Sequence, residues 1–431
     1  MSKFIIGNKP ISSVSGPVRV TVLKPNNDLK KEFENKGGRL PYVILFGDQH
    51  FSREGNCDSC KCNINWITEK GWENKDCCYE VDDPEFLKLF DGIASKNYPI
   101  DFYVEQVYEP RLGDPNILSI NEGLNRVDTT GYLSKLTLDY KICYSKADRR
   151  TKRYKTGCPT RDIRWHFIDT RSIEYGNSGE AKLYKGIIQF YTLLYYYFDK
   201  NRPENENDSF QESITLFKKY TEELTMLFDI LINGPDFLDK YITKDGNFLL
   251  SKQIRKQVLE DLKNVDFWKK IITDRIQETF YDYMNTVNTN FNSKDYVKVM
   301  TFYKNVLILI SAENISKDEF LEKRKYLIES ISNYNIFEEN PSNLITMISL
   351  TTFTGMMDAY TISRILKKPT NGIPSFTSLI YAGDLHVKNI IDILTKYFKY
   401  EVIGQSYSDK LRCQDVKNIE FNLLKAKQEY K

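Results

Sequence analysis

YVILFGDQH (Tyr42–His50) and SLIYAGDLH (Ser378–His386) each place a G-D-x-H motif directly after a short apolar run. Short runs of β-branched, aromatic and aliphatic residues bounded by turn signals are typical of buried strands. A glycine at the carboxyl end of a strand lets the backbone turn sharply or approach a ligand closely. The two stretches therefore predict two buried strands that end in the same motif.

Further strands and helices are predicted on both sides of these stretches. Asp83–Ser95 has a helical pattern, with Asp83 as the N-cap and Pro84 in the first turn. Other helices are predicted at Leu133–Tyr144 and Val387–Phe398, and the other strands at Val18–Leu23, Ile100–Val104, Arg164–Asp169 and Tyr400–Gly404. Strands that alternate with helices indicate a mainly parallel sheet covered by helices, which is an α/β fold.

The middle of the chain has a different pattern. Apolar residues recur there at three- and four-residue spacing, for example at Leu216, Tyr220 and Leu224. The predicted helices are Lys185–Phe198, Phe210–Ile232, Ser251–Leu262, Asp266–Asn285, Asp295–Ala312, Lys317–Ser332 and Asn343–Leu366. Because strand patterns lie on both sides, we predict a discontinuous α/β core of residues 1–180 and 370–431, with a cysteine-rich loop at 51–80. The core is interrupted by a large all-helical insertion of residues 181–369.

Composition restricts the class of partner. The 431 residues include 61 Lys and Arg against 59 Asp and Glu, a formal net charge of +2, which argues against a dedicated nucleic-acid binder. No apolar run approaches the roughly 20 residues that span a bilayer, so no membrane span is predicted. The first ten residues lack the pattern of a secretory signal.

The two G-D-x-H motifs contain two of the three histidines in the chain. In an extended segment, an Asp and a His two residues apart project to the same side. Open α/β sheets bind ligands at the carboxyl ends of their parallel strands. His and Asp together suit a divalent metal or an acid–base pair, so Asp48, His50, Asp384 and His386 are candidate ligands of a metal whose identity the motif does not specify.

Two more predicted strands end in charged residues. Glu105 closes an apolar strand, where a carboxylate is costly unless it is paired or acts as a ligand; the alternative is a structural salt bridge to Arg111 or Arg171. The strand R-W-H-F-I-D-T-R contributes His166, Asp169 and Arg171. Asp169 and Arg171 are candidate catalytic residues or partners of each other, and a core or supporting position is the better interpretation of His166.

The order of these motifs resembles the erythromycin esterase, ChaN-like and TIKI/TraB superfamily. The chain is also similar to uncharacterised proteins of large DNA viruses with a late Y-A-G-D-x-H-x-x-N motif, here Tyr381–Asn389, preceded by an M-D-x-Y-x-x-x-R helix, here Met357–Arg364. The resemblance implies an α/β core and, in several members, metal-dependent hydrolysis. It places His50, Glu105 and His386 at the site and turns Arg364 towards them. It covers only the α/β parts.

Five cysteines, Cys57, Cys60, Cys62, Cys77 and Cys78, crowd around the loop that follows the first motif. They supply enough thiols for a tetrahedral zinc. Cys77 and Cys78 could instead form disulfides with Cys57 or Cys60 and staple the loop. A reducing cytosol would favour free thiols.

Two functional hypotheses follow. In the first, His50, His386, Glu105 and one or both motif Asp residues bind a divalent metal or act as acid and base, and they hydrolyse an ester or amide. Arg171 and Arg364 would stabilise the developing negative charge. Motifs of phosphate-loop, dinucleotide-binding and serine-hydrolase sites are absent. In the second hypothesis, the chain is a non-enzymatic virion or host-interaction protein that contacts a protein partner through the helical insertion. Both hypotheses predict location in the host cytoplasm or the virion.

Overall fold

The computed structural model describes residues 3–7, 9–49, 57, 77–107, 136, 160, 162–169, 225, 249–287, 293–311, 317–330, 355–369, 372–408 and 411–430. Its elements in chain order are β1 (Phe4–Ile6), β2 (Lys9–Ser15), β3 (Arg19–Pro25), α1 (Asn27–Asn35), β4 (Tyr42–Asp48), β5 (Cys77–Glu80), α2 (Pro84–Asp91), β6 (Ile100–Val107), β7 (Ile163–Asp169), α3 (Leu249–Ile254), α4 (Val265–Val287), α5 (Ser293–Ser311), α6 (Lys317–Ser330), β8 (Thr377–Gly383), α7 (Asp384–Phe398), β9 (Tyr400–Tyr407), β10 (Cys413–Asp415), β11 (Phe421–Asn422) and α8 (Leu423–Tyr430). Residues 355–366 are also helical.

The chain divides into two compact units. The first comprises Met1–Asp169, Lys256–Leu259 and Tyr360–Lys431, and the second comprises Thr170–Arg255 and Glu260–Ala359. Residues 256–259 and 360–369 therefore belong with the α/β unit, although the sequence pattern assigned them to the insertion.

A six-stranded sheet forms the centre of the first unit, in the order β7-β6-β8-β4-β3-β9. Strands β4, β8, β6 and β7 are parallel neighbours, whereas β3 runs antiparallel to both β4 and β9. Every residue of β4 and β8 is buried, which explains their uninterrupted apolar runs. The prediction of an α/β fold with parallel strands is confirmed, but the antiparallel β3 and β9 make the sheet mixed.

A second, smaller sheet was not predicted. Its strands follow the order β10-β2-β1-β11, and β5 pairs with β2. These strands have two to seven residues, and β2 reads K-P-I-S-S-V-S, so their apolar pattern is weak. Together with the large sheet they enclose a core that includes Phe46, Phe86, Phe102 and Phe421.

Helix α2 shows how local signals set an element. Its N-cap is Asp83, whose side chain accepts a hydrogen bond from Glu85 N, and Pro84 lies in the first turn, as predicted. The helix ends at Asp91 and not at Ser95, because Gly92 provides the C-cap. Its buried residues Phe86 and Phe90 pack edge to face in the core.

The part of the second unit that the structure describes includes α3 to α6, a 3₁₀ turn at Asp261–Lys263 and the start of the helical stretch 355–366. The predicted helices at Asp266–Asn285, Asp295–Ala312 and Lys317–Ser332 correspond to α4, α5 and α6. Those at Leu133–Tyr144, Lys185–Phe198 and Phe210–Ile232 lie outside the described residues, apart from single positions. None of the described helices combines the length and the apolar character that a membrane crossing requires.

Candidate active site

The two G-D-x-H motifs lie side by side at the carboxyl edge of the parallel strands. β4 and β8 are parallel neighbours, and their register pairs Gly47 with Ala382 and Asp48 with Gly383. The motifs are thus offset by one residue across the sheet. His50 lies outside the described residues, so the position of the first motif's imidazole stays a prediction.

The second motif opens a helix. Gly383 is the N-cap of α7 and Asp384 is its first residue, three residues before the predicted helix start at Val387. The expectation that Asp384 and His386 extend to the same side is therefore wrong, because residues two apart on a helix do not face each other. The two side chains instead contact different strands, Asp384 the strand β3 and His386 the strand β6.

His386 and Glu105 form a buried pair. Glu105 lies in β6, which neighbours β8, and its Oε1 is 3.4 Å from His386 Nε2. Glu105 Oε2 accepts a hydrogen bond of 2.7 Å from the backbone N–H of Gly383. Only 6% of Glu105 and 5% of His386 are exposed, so both groups are largely removed from water. This arrangement orients a carboxylate against an imidazole, as acid–base chemistry requires.

Asp384, a predicted metal ligand, is held by cations. Arg19 Nε donates to Asp384 Oδ1 at 2.6 Å, and Lys388 Nζ lies 3.3 Å from Oδ2. A Cβ atom added to Gly47 would lie 2.4 Å from Asp384 Oδ1 and 3.2 Å from Arg19 Cβ. The glycine of the first motif therefore makes room for the aspartate of the second, which gives a physical reason for one half of the repeat.

Asp48, also a predicted metal ligand, binds a second arginine. Arg412 Nη2 donates to Asp48 Oδ1 at 2.7 Å, and both side chains are buried. Tyr381 lies nearby, and its pKa is raised well above the ordinary value, first by burial and then by the charge of Asp48. Sequence reasoning missed Arg19 and Arg412. Arg19 had one signal, a charge that opens an apolar strand, whereas nothing around Arg412 indicated its partner.

The described residues do not by themselves fit the predicted metal ion. Among them, no group of three or more His, Cys, Asp and Glu side chains is arranged to hold one. Asp48 and Asp384 are each engaged by an arginine. A divalent metal held with the help of His50 stays a prediction.

Among the described cysteines of the predicted cluster, Cys57 and Cys78 are in disulfides. Cys57 is bonded to Cys413, the residue after Arg412, and Cys78 is also disulfide-bonded, whereas Cys77 is a buried cysteine outside these disulfides. The pairing of Cys57 with Cys77 or Cys78 is therefore wrong, and Cys57 is not a zinc ligand. Cys60 and Cys62 lie outside the described residues.

Among the remaining candidates that the structure describes, His166 and Arg364 lie away from the Glu105–His386 pair. Asp169 ends β7 opposite Val107, and Arg171 lies outside the described residues. Arg364 bonds to Tyr360 and to His166, and His166 in turn bonds to Asp101 near the start of β6. Glu105 lies four residue steps beyond Asp101 along the strand, which is about 13 Å. The expectation that Arg364 faces the G-D-x-H site is therefore wrong.

Comparisons with protein-family models, with curated proteins and with solved structures find no match to this chain. Its function is therefore inferred from the geometry of the site.

Proposed function

We propose that the chain is a hydrolase of ester or amide bonds whose acid–base pair is Glu105 and His386. The observation that carries the proposal is their buried contact of 3.4 Å at the carboxyl edge of β6 and β8. Open α/β sheets bind ligands at this edge. The superfamily resemblance, which places Glu105, His386 and His50 at the site, supports the same assignment.

In the proposed reaction His386 is the base and Glu105 orients it. Because Glu105 Oε1 faces Nε2, the carboxylate favours the tautomer with a proton on that nitrogen and stabilises the imidazolium that forms later. His386 takes a proton from water as the water oxygen attacks the carbonyl carbon. The bond to the leaving group then breaks, and the leaving group takes the proton from the imidazolium.

The developing negative charge would lie near the amino end of α7. This 15-residue helix begins at the edge that holds the pair, and its dipole favours an anion there. Arg171 stays the predicted side-chain stabiliser, and a metal bound with His50 stays a predicted addition to the site.

The disulfides favour one of the two predicted locations of the protein. Disulfides persist in oxidising surroundings and are rare in a reducing cytosol. Cys57, Cys413 and Cys78 are disulfide-bonded. Of the two predicted locations, we therefore propose the virion, with the helical insertion as the segment that contacts a protein partner.

Activity on a panel of p-nitrophenyl esters and anilides tests the proposed function. We expect Glu105→Gln and His386→Gln each to lower kcat/KM by about 100-fold or more, the usual contribution of a positioned acid–base group. Lys388→Gln is the matched control, because Lys388 lies in the same helix, is half-exposed and contacts Asp384.

Circular dichroism verifies the fold of each variant. Full activity in folded Glu105 and His386 variants would contradict the assignment. Wild-type activity that a chelator abolishes and a divalent cation restores would add the predicted metal to the site.

A further inference from the structure

A cavity of about 230 Å³ lies at the opposite end of the parallel strands from Glu105 and His386. Pro41 and Ser375, which precede β4 and β8, line it, together with Asp101 and Arg164, the second residues of β6 and β7. All its lining residues belong to the first unit. The proposed hydrolase reaction does not use this cavity.

The charge of the cavity is strongly positive. Five cationic side chains line it, namely Arg39, Arg164, Lys256, Arg364 and Lys367, and Asp101 is the one carboxylate among its described lining residues. Asp101 is fully engaged by protein. Arg164 donates to both of its oxygens, at 2.6 and 2.8 Å, and His166 Nε2 lies 2.9 Å from Oδ1.

The imidazole of His166 is neutral and does not offset the positive charge of Arg364. Arg364 Nη2 lies 2.7 Å from His166 Nδ1. Because a guanidinium only donates hydrogen bonds, Nδ1 must accept, and Nε2 then donates to Asp101. The imidazole is therefore neutral, in agreement with a pKa lowered to about 4, chiefly by burial. Arg364 thus keeps its full positive charge beside the cavity.

Within the described residues, the positive charges of the two lysines at the cavity are not neutralised by an ion pair either. Neither Lys256 nor Lys367 has an ion-pair partner in the part of the chain that the structure describes. The pKa of Lys367 is lowered to about 8, first by burial and then by the neighbouring charges of Arg364 and Lys256, which outweigh the opposing charge of Asp101. Placing Arg364, Lys256 and Lys367 around one cavity costs folding free energy, because the three positive charges repel one another unless an anion offsets the repulsion.

We propose that this cavity binds the phosphate group of a small molecule through Arg364, Lys367 and Lys256. At neutral pH a phosphate monoester carries between one and a half and two negative charges, because its second pKa is about 6. A guanidinium matches the spacing of its oxygens, and lysines bind it as point charges. The volume holds about eight waters, which suits a phosphate with a few carbon atoms attached.

Isothermal titration of the full chain with inorganic phosphate and with glycerol phosphate tests the proposal. We expect saturable binding that weakens about tenfold or more in Lys256→Gln/Lys367→Gln, since each lost charged hydrogen bond contributes on that scale. Lys388→Gln removes a charge at the other edge of the sheet and should bind as the wild type does. Tighter binding of glycerol phosphate identifies an ester, and tighter binding of inorganic phosphate identifies the free ion.

A titration with sulfate across pH 7 to 9.5 distinguishes the deprotonation of Lys367 from that of the ligand, because sulfate keeps both negative charges throughout this range. Binding should weaken above pH 8 as Lys367 loses its proton, while Lys367→Gln shows no such loss. The charged groups that face Lys367 are Arg364, Lys256, Asp101 and Arg164, and none of the arginines titrates in this range.

Two results would overturn the proposal. One is the absence of saturable binding of all three anions to the wild type. The other is equal binding by the wild type and the folded double variant, which would place the anion elsewhere.

Discussion

At the scale of single residues, His166 shows how a polar side chain is satisfied inside the sheet. Its Nε2 contacts Asp101, its Nδ1 accepts from Arg364, and its ring stacks on Tyr103 at 4.8 Å between centroids. A supporting position was the better interpretation of its sequence context, and the contacts agree with it. Alternation along β7 could not tell which side it faces, because Arg364 lies 198 positions away.

Acid should destabilise the fold through this histidine. The folded pKa of about 4 lies below the ordinary 6.5, so between these values the folded state binds fewer protons than the unfolded state. The free energy of unfolding should therefore decrease as pH falls from 6.5 to 4, on the order of 3 kcal/mol. His166→Gln can keep both hydrogen bonds without titrating. Urea unfolding at pH 7 and pH 4 should show a smaller loss for this variant, and equal losses would contradict the assignment.

At the scale of elements, the contact between β4 and α7 positions the site. Helix α7 begins directly at the end of β8, and Asp384 in its first turn packs against Gly47 and Arg19. The position of His386, two residues later, depends on this approach. The sequence pattern predicted that the helix begins only at Val387, because Gly-Asp after a strand is also typical of a loop.

Gly47→Ala should destabilise the chain by about 1–3 kcal/mol, because the added Cβ meets Asp384 Oδ1 at 2.4 Å and the helix must shift. Gly355→Ala is the control, since its Cβ would meet Ile272 at an ordinary 3.7 Å. Urea unfolding measures both. Gly47→Ala should also lose hydrolase activity if the shift of α7 moves His386 away from Glu105. Wild-type stability in Gly47→Ala would show that the strand and helix are not in close contact.

At the scale of the whole molecule, the first unit is assembled from both ends of the chain. Strand β3 lies between β4 and β9, and β1 pairs with β11. The disulfide between Cys57 and Cys413 joins positions separated by 356 residues. It lies next to the buried pair of Asp48 and Arg412, so the covalent link and the ion pair hold the same two regions together.

Removal of this disulfide in Cys57→Ser/Cys413→Ser should cost about 2–5 kcal/mol of stability, because the unfolded chain regains the entropy of a very long loop. Cys77→Ser is the matched control, since Cys77 is a buried cysteine outside the disulfides. Thermal unfolding without reductant compares the three proteins. A non-reducing digest of the wild type should contain a peptide pair that joins Cys57 to Cys413. Its absence, or equal stability of the double variant and the control, would contradict the disulfide.

The sequence by itself determined the main strands and much of the site's location. The apolar runs at Tyr42–Gly47 and Ile100–Val104 predicted strands because burial on both faces is a local property of composition. The carboxyl-edge rule then predicted that Glu105 and the motif of His386 lie together, because it depends only on strand direction.

Only the tertiary structure decided which partners these residues have. Asp48 bonds to Arg412 and Asp384 to Arg19, at separations of 364 and 365 residues, and Arg364 belongs to the opposite end of the strands. No local period encodes such contacts, because they arise from the order of strands in the sheet and from the angle at which a helix leaves it. The cationic cavity has the same origin, since its positive charges come from four separate segments that the fold brings together.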